Sequence, residues 1–225
     1  MSAGAAPIAL TNEKPSIGGR QGFFNFNQLN SLALMVVLAA SGMVAFQDFA
    51  FVLLSFFYML FISKVAFPAL SSAPEPPVFG NNSRLLTVYV SVGAVVGLLL
   101  PVAYMVHGVL EGDKEGIKAA APHVFLLASQ VFMEGVTFSG EFSLPIRVFV
   151  PVVYNSMRMY AILEWLKNEI AKVNKEHHGS IRRLQVGRGL AIANMVFWSF
   201  NLFGFLLPFY LPKAFKKYYA AGKES

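Results

Sequence analysis

The chain has 225 residues, no cysteine, a formal charge of +6, and 56% hydrophobic against only 13% charged residues. An ordinary soluble domain carries about 25% charged residues, so too little polar surface remains here to cover a water-soluble fold. The missing cysteines exclude disulfides, thiol catalysis and cysteine metal sites, and the basic residues flank apolar stretches as lipid-facing cations do, which argues against nucleic acid as a partner.

Residues 1–26 read as a disordered head without the apolar core of a signal peptide, so the first span would serve as the targeting signal. Aromatic Phe23, Phe24 and Phe26 precede that span, predicted over about 29–46. Gln47-Asp48 leaves room only for a hairpin turn, and a second span follows over about 49–70, with Lys64 placed to snorkel near its end. Pro68 and the proline-rich run at 74–77 stop it. The third span, 85–110, is the clearest. Its 26 positions carry no Lys, Arg or acid, and about 39 Å of helix is enough to cross a ~30 Å hydrocarbon core. Pro101 predicts a kink there, and Gly93 and Gly97 offer a close helix-packing surface, within one chain or as a homo-oligomer face.

After an acidic connector at 111–118, a fourth span is expected over 119–138. Residues 142–160 carry Arg147, Arg158, Pro145 and Pro151, which suits a re-entrant or interfacial piece, or one covered by neighbours, better than a lipid-facing span. Residues 162–178 read as a basic amphipathic helix, 190–211 as the last span, and 212–225 as a basic tail. The fold class is therefore an all-α membrane protein: a bundle of five to six hydrophobic helices plus a basic amphipathic interfacial helix, in one domain over 27–211. Five crossings with a cytosolic amino end would place the 147–188 cations inside, and the acidic connector and the tail outside.

Charge at membrane depth is costly and so marks a functional hypothesis. The intramembrane polar cluster comprises His123, Gln130, Glu134, Glu141, Arg147, Asn155 and Arg158. His123, Gln130 and Glu134 share a helix face, which would suit a proton or solute relay; an ion pair of Glu134 or Glu141 with Arg147 is the structural alternative. Trp165, Lys167, Lys172, Lys175, Arg182, Arg183 and Arg188 are the expected lipid-surface contacts, drawn to anionic head groups. His177-His178 has no further ligand at metal spacing, and Asn81-Asn82-Ser83 is an acceptor sequon only for a lumenal loop. No catalytic residue, cofactor or metal site is expected.

The stretches from Ala121 to Glu134, Phe142 to Pro151 and Asn194 to Gly204 resemble a plant family of uncharacterised multi-span integral membrane proteins, over roughly 27–219. That resemblance implies membership and a plant cell membrane, with no catalytic residues to carry over. In segment order the chain more distantly resembles endoplasmic-reticulum-shaping, nuclear-pore-associated membrane proteins. The expected function is a non-enzymatic protein that organises membranes or partner proteins in the endomembrane system through residues 160–189. The alternative is a small carrier or channel with a polar path through Glu134, Gln130, Arg147 and Asn155. The expected setting is the endoplasmic reticulum or another endomembrane, with a plastid membrane as the other choice. The expected partners are the bilayer and unidentified proteins.

Overall fold

A computed structural model describes residues 26–70, 78, 84–139, 142–172 and 181–223; these form helices and short turns, with no strand among them. The amino-terminal head, the loop around the sequon, Glu141, Lys175 and the His177-His178 pair lie outside the described residues. Six helices follow in order: α1 (Phe26–Ala40), α2 (Phe46–Val65), α3 (84–111), α4 (Lys114–Ser139), α5 (Leu144–Ala171) and α6 (Ile181–Ala221). Four of them, within α2, α3, α4 and α6, are long and apolar enough to cross a membrane.

The helices run alternately up and down. Ser55 Oγ of α2 meets Tyr154 OH of α5 at 2.8 Å, and at the far end of the same pair Ser143 Oγ donates to the carbonyl of Phe67 at 2.7 Å. Gly97 of α3 faces Trp198 of α6, and Arg188 of α6 donates to the carbonyl of Glu169 in α5 at 3.0 Å. Helix α4 is central: 78% of its apolar window is buried within the protein, against 22% for α2 and 28% for α3. Helices α1, α3 and α5 pack around it, and α6 closes the far side against α5. Outward faces carry Phe57, Phe61, Val106, Leu110, Phe200 and Phe203, all exposed. An apolar exterior around a more polar interior is the arrangement that hydrocarbon surroundings favour.

Several boundaries differ from the sequence expectation. The first hairpin turns at Ser41–Gly42, where Gly42 has φ +68° and Ser41 Oγ caps the Leu38 carbonyl at 2.7 Å. Asp48 instead lies in the first turn of α2 and is buried. Helix α1 has 15 residues, or about 22 Å, less than the ~30 Å of hydrocarbon.

Residues 142–160 and the first half of the expected amphipathic helix are one helix of 28 residues, α5. Pro145 begins it, in the first turn where no N–H is needed, and Pro151 is accommodated without ending it. Its charges keep it from being a lipid-facing span, and neighbouring helices cover it: Ile146, Val150, Tyr154, Asn155, Arg158, Ile162 and Trp165 are fully buried. The last span, expected at 190–211, sits inside a single helix of 41 residues. Pro208 does not end it, because residues Phe200–Tyr210 widen into a π register whose longer hydrogen bonds bypass the missing donor.

One topological expectation is corrected outright. The acidic connector between α3 and α4 and the basic residues around 164–188 occupy the same end of the bundle, where they bond to each other. Residues 211–221 pack at the opposite end, where Tyr218 OH donates to the Pro68 carbonyl at 3.0 Å.

Candidate functional site

The interior polar site begins with a proline. Pro101 has no N–H, so the carbonyl of Gly97, four residues earlier, loses its helical donor. Helix α3 responds with a π turn over Val95–Leu99, in which Leu100 N–H reaches back to Val95 O. His123 of α4 fills the gap: its Nε2 lies 2.9 Å from Gly97 O, and because a carbonyl can only accept, Nε2 carries the proton. The adjacent Val96 carbonyl accepts from Asn194 Nδ2 of α6 at 3.0 Å. Gly97 is required by closeness as well, since a Cβ there would sit 2.6 Å from the Trp198 ring. Gly93 likewise faces Phe197, so the glycine pair forms an intramolecular seat for α6.

Around this joint the site divides by helix. From α5, Asn155 Nδ2 donates to Trp198 O at 3.1 Å, and Asn155 Oδ1 accepts from Arg158 Nη2 at 3.0 Å. The Arg158 guanidinium lies 3.7 Å from the Trp198 ring centroid, fully buried, with Nε and Nη1 lacking partners. From α4, Gln130 Nε2 donates to Glu134 Oε1 at 2.7 Å. Glu134 has no cation within ion-pair distance among the described residues.

Gln130 and Glu134 line a cleft of about 40 Å³ between α3, α4 and α6, together with Tyr89, Trp198 and Asn201. Tyr89 OH donates to Asn201 Oδ1 at 2.7 Å. Gln130 Oε1 and Asn201 Nδ2 have no partner, so two amides in one small cleft keep unused polar atoms. About 10–15 Å³ suffices for a water, whereas small-molecule pockets run to roughly 300–1,000 Å³. The cleft is too small for an organic ligand.

The structure thus unites His123, Gln130, Glu134, Asn155 and Arg158 in one interior and leaves Arg147 outside it. Arg147 Nε donates to the Phe142 carbonyl at 2.9 Å and its guanidinium covers the Phe138 ring. Of the alternative ion pair of Glu134 or Glu141 with Arg147, the Glu134 form is not made, and Glu141 lies outside the described residues. Tyr89, Asn194, Trp198 and Asn201 belong to the site although the sequence reading omitted them. For the three on α6 the signal was available: Gly187, Ala191, Asn194, Trp198 and Asn201 recur every three or four residues, a buried stripe along one face of an apolar helix.

A second cluster closes one end. Glu169, fully buried, accepts from Lys172 Nζ at 2.9 Å and Tyr104 OH at 3.1 Å. Asp113 accepts from Arg183 Nε at 2.7 Å, and Arg183 Nη1 reaches both the Tyr104 carbonyl and His107 Nδ1. Burial acts to raise the Asp113 pKa, but the Gly116 N–H, Arg183 and Lys172 outweigh it and hold the carboxyl below its usual range. Space for these groups comes from Gly108, Gly116 and Gly187, where a Cβ would collide with Arg183, Asp113 and Glu169 respectively.

Three expected lipid-surface contacts are consequently corrected. Trp165, Lys172 and Arg183 are buried against protein, because the apolar stripe of α5 meets α3 and α4, and the acidic connector neutralises the cations. Lys167 is exposed and bonds Glu164 at 2.7 Å; Arg182 is exposed; Arg188 caps the end of α5.

The family model described as "Domain of unknown function (DUF7733)" matches residues 24–219. The chain belongs to this family. No curated protein and no solved structure matches it. The matched region takes in five helices, all but the last two residues of α6, and both polar clusters.

Proposed function

We propose that the chain is a non-enzymatic integral membrane protein of the small carrier or channel type, which passes protons through Glu134. One observation carries the reading: a buried carboxyl on the central helix, without an ion-pair partner among the described residues, lines a small cleft. Charge at such depth is costly and usually serves transport or pairing, and among the described residues no cation lies within ion-pair distance of Glu134. The cleft volume favours a proton or water over a larger solute. Gln130 would orient the carboxyl, and Arg158 would supply positive potential from across Trp198.

A membrane-organising role has less support. It relies on residues 160–189 lying on the lipid surface, whereas Trp165, Lys172 and Arg183 are committed to the protein interior. An endomembrane location follows only from the resemblances in the sequence.

The test uses the full chain in liposomes loaded with a pH-sensitive dye, with a potassium gradient and valinomycin to drive proton entry. Wild-type protein is expected to acidify the lumen faster than empty vesicles, and Glu134→Gln to return the rate to the empty-vesicle level while melting normally. Equal rates for all three preparations would end the proposal.

A further inference from the structure

A second space lies beside the Glu134 cleft and shares a wall with it. Between α1, α3 and α4 runs a groove of about 170 Å³. Asn27, Asn30 and Ser31 of α1 line its mouth, and Leu34 of α1 and Leu98 of α3 line its deeper part. Leu127 and Val131 of α4 border both the groove and the cleft, and so form the partition between them. On its other side the cleft is bridged by Tyr89, whose hydroxyl bonds Asn201 and whose ring stacks on Phe197 at 5.2 Å.

The packing of α1 sets the level of the groove. Gln28 is buried against α4, and a Cβ on Gly135 would strike its amide, so the first turns of α1 lie level with the part of α4 that carries Val131 and Glu134. Ser143 of α5 and Tyr218 of α6 both bond to the Phe67–Pro68 stretch after α2. The α1–α2 hairpin returns the start of α1 to that same end, so the mouth of the groove opens near the surface that holds Tyr218.

Polarity along the groove is graded. Asn30 is exposed, Asn27 and Ser31 are half-buried, and Leu127 at the inner wall is buried. Polar side chains on a membrane helix face the bundle interior or a water-filled cavity, because hydrocarbon offers them no partner. The volume exceeds the ~10–15 Å³ that a water needs and falls below the roughly 300–1,000 Å³ of small-molecule pockets. A polar mouth ending on two apolar side chains has the form of an aqueous vestibule closed by a hydrophobic constriction.

We propose that the groove between α1, α3 and α4 is the aqueous entrance through which protons reach Glu134, with Leu127 and Val131 as its constriction. This rests on the Glu134 reading and gives that site its access route and its side of entry.

A chain without cysteine makes the test direct. Full-length Ser31→Cys and Val36→Cys, the latter on the exposed outer face of α1, are reconstituted into the dye-loaded liposomes with and without prior attachment of a bulky maleimide. Labelled Ser31→Cys is expected to lose the proton uptake that its unlabelled form shows, and labelled Val36→Cys to keep it. Asn30→Cys, at the same mouth, gives the reading should Ser31→Cys melt early. Val131→Phe, which narrows the passage, should slow uptake while melting normally. In sealed vesicles an impermeant methanethiosulfonate should reach Ser31→Cys from the side that reaches Lys216→Cys. Uptake that survives labelling at the mouth, equal loss at Val36→Cys, an unslowed Val131→Phe, or access to Ser31→Cys only from the opposite side overturns the entrance and leaves the Glu134 reading standing. Wild-type vesicles that acidify no faster than empty ones overturn both.

Discussion

Asp113 joins three helices through one carboxylate. Oδ1 accepts the Gly116 N–H at 2.8 Å and so caps α4, while Oδ2 meets Arg183 of α6 and lies 3.7 Å from Lys172 at the end of α5. The folded state holds this group below its ordinary value of 3.8. Its stabilisation is therefore complete above that value and is lost as pH falls through the depressed native one. We expect Asp113→Asn to melt below wild type at neutral pH, with the gap narrowing once pH drops beneath the ordinary carboxylate range. A gap that stays constant into acid would assign the effect to something other than ionisation. In the sequence, Asp113 is one more charge in a connector. Its meaning depends on Arg183, 70 residues away, and no local spacing reveals that partner. Glu134 was legible for the opposite reason, since an acid within an apolar run is conspicuous wherever it points.

At the scale of elements, Pro101 and His123 form one device. The proline removes a donor from α3, and a side chain of α4 replaces it. We expect His123→Leu to destabilise the fold by about 1–3 kcal/mol, the range for stranding a buried acceptor. Adding Pro101→Ala, which restores an N–H to the Gly97 carbonyl, should recover part of that loss in denaturant titrations. No recovery would mean that His123 stabilises through packing on Trp165 alone. At Pro101 the helix continues through a π turn over Val95–Leu99, and the third and fourth spans fell within the observed helices. Helices α5 and α6 were divided wrongly. A stripe of Ile162, Leu166, Ile170 and Val173 with Trp165 beside it reads identically whether lipid or another helix covers it; protein covers Ile162 and Trp165, Ile170 stays exposed, and Val173 lies outside the described residues. Pro208 and Pro212 suggested an ending because sequence rules treat proline as a stop, whereas a wider turn absorbed Pro208, and Pro212 sits in the first turn of the α-helical stretch after it.

For the whole molecule, the decisive difference is which charged segments share an end. The observed fold places Lys118 at the end of the bundle that holds the start of α6, and Lys216 at the other. Because the chain has no cysteine, single-cysteine variants at these positions report sidedness directly. In sealed vesicles, Lys118→Cys and Arg182→Cys are expected to react with an impermeant maleimide from one side, and Lys216→Cys only from the other. Labelling of Lys118→Cys and Arg182→Cys from opposite sides would restore the five-crossing arrangement and reject this one. The last helix also does something no shorter span does. At 41 residues and ~1.5 Å per residue it is about 60 Å long, twice the thickness of the oily layer. It therefore sets Tyr218 and Arg183 at opposite ends of one rod, whose backbone widens between them near Pro208.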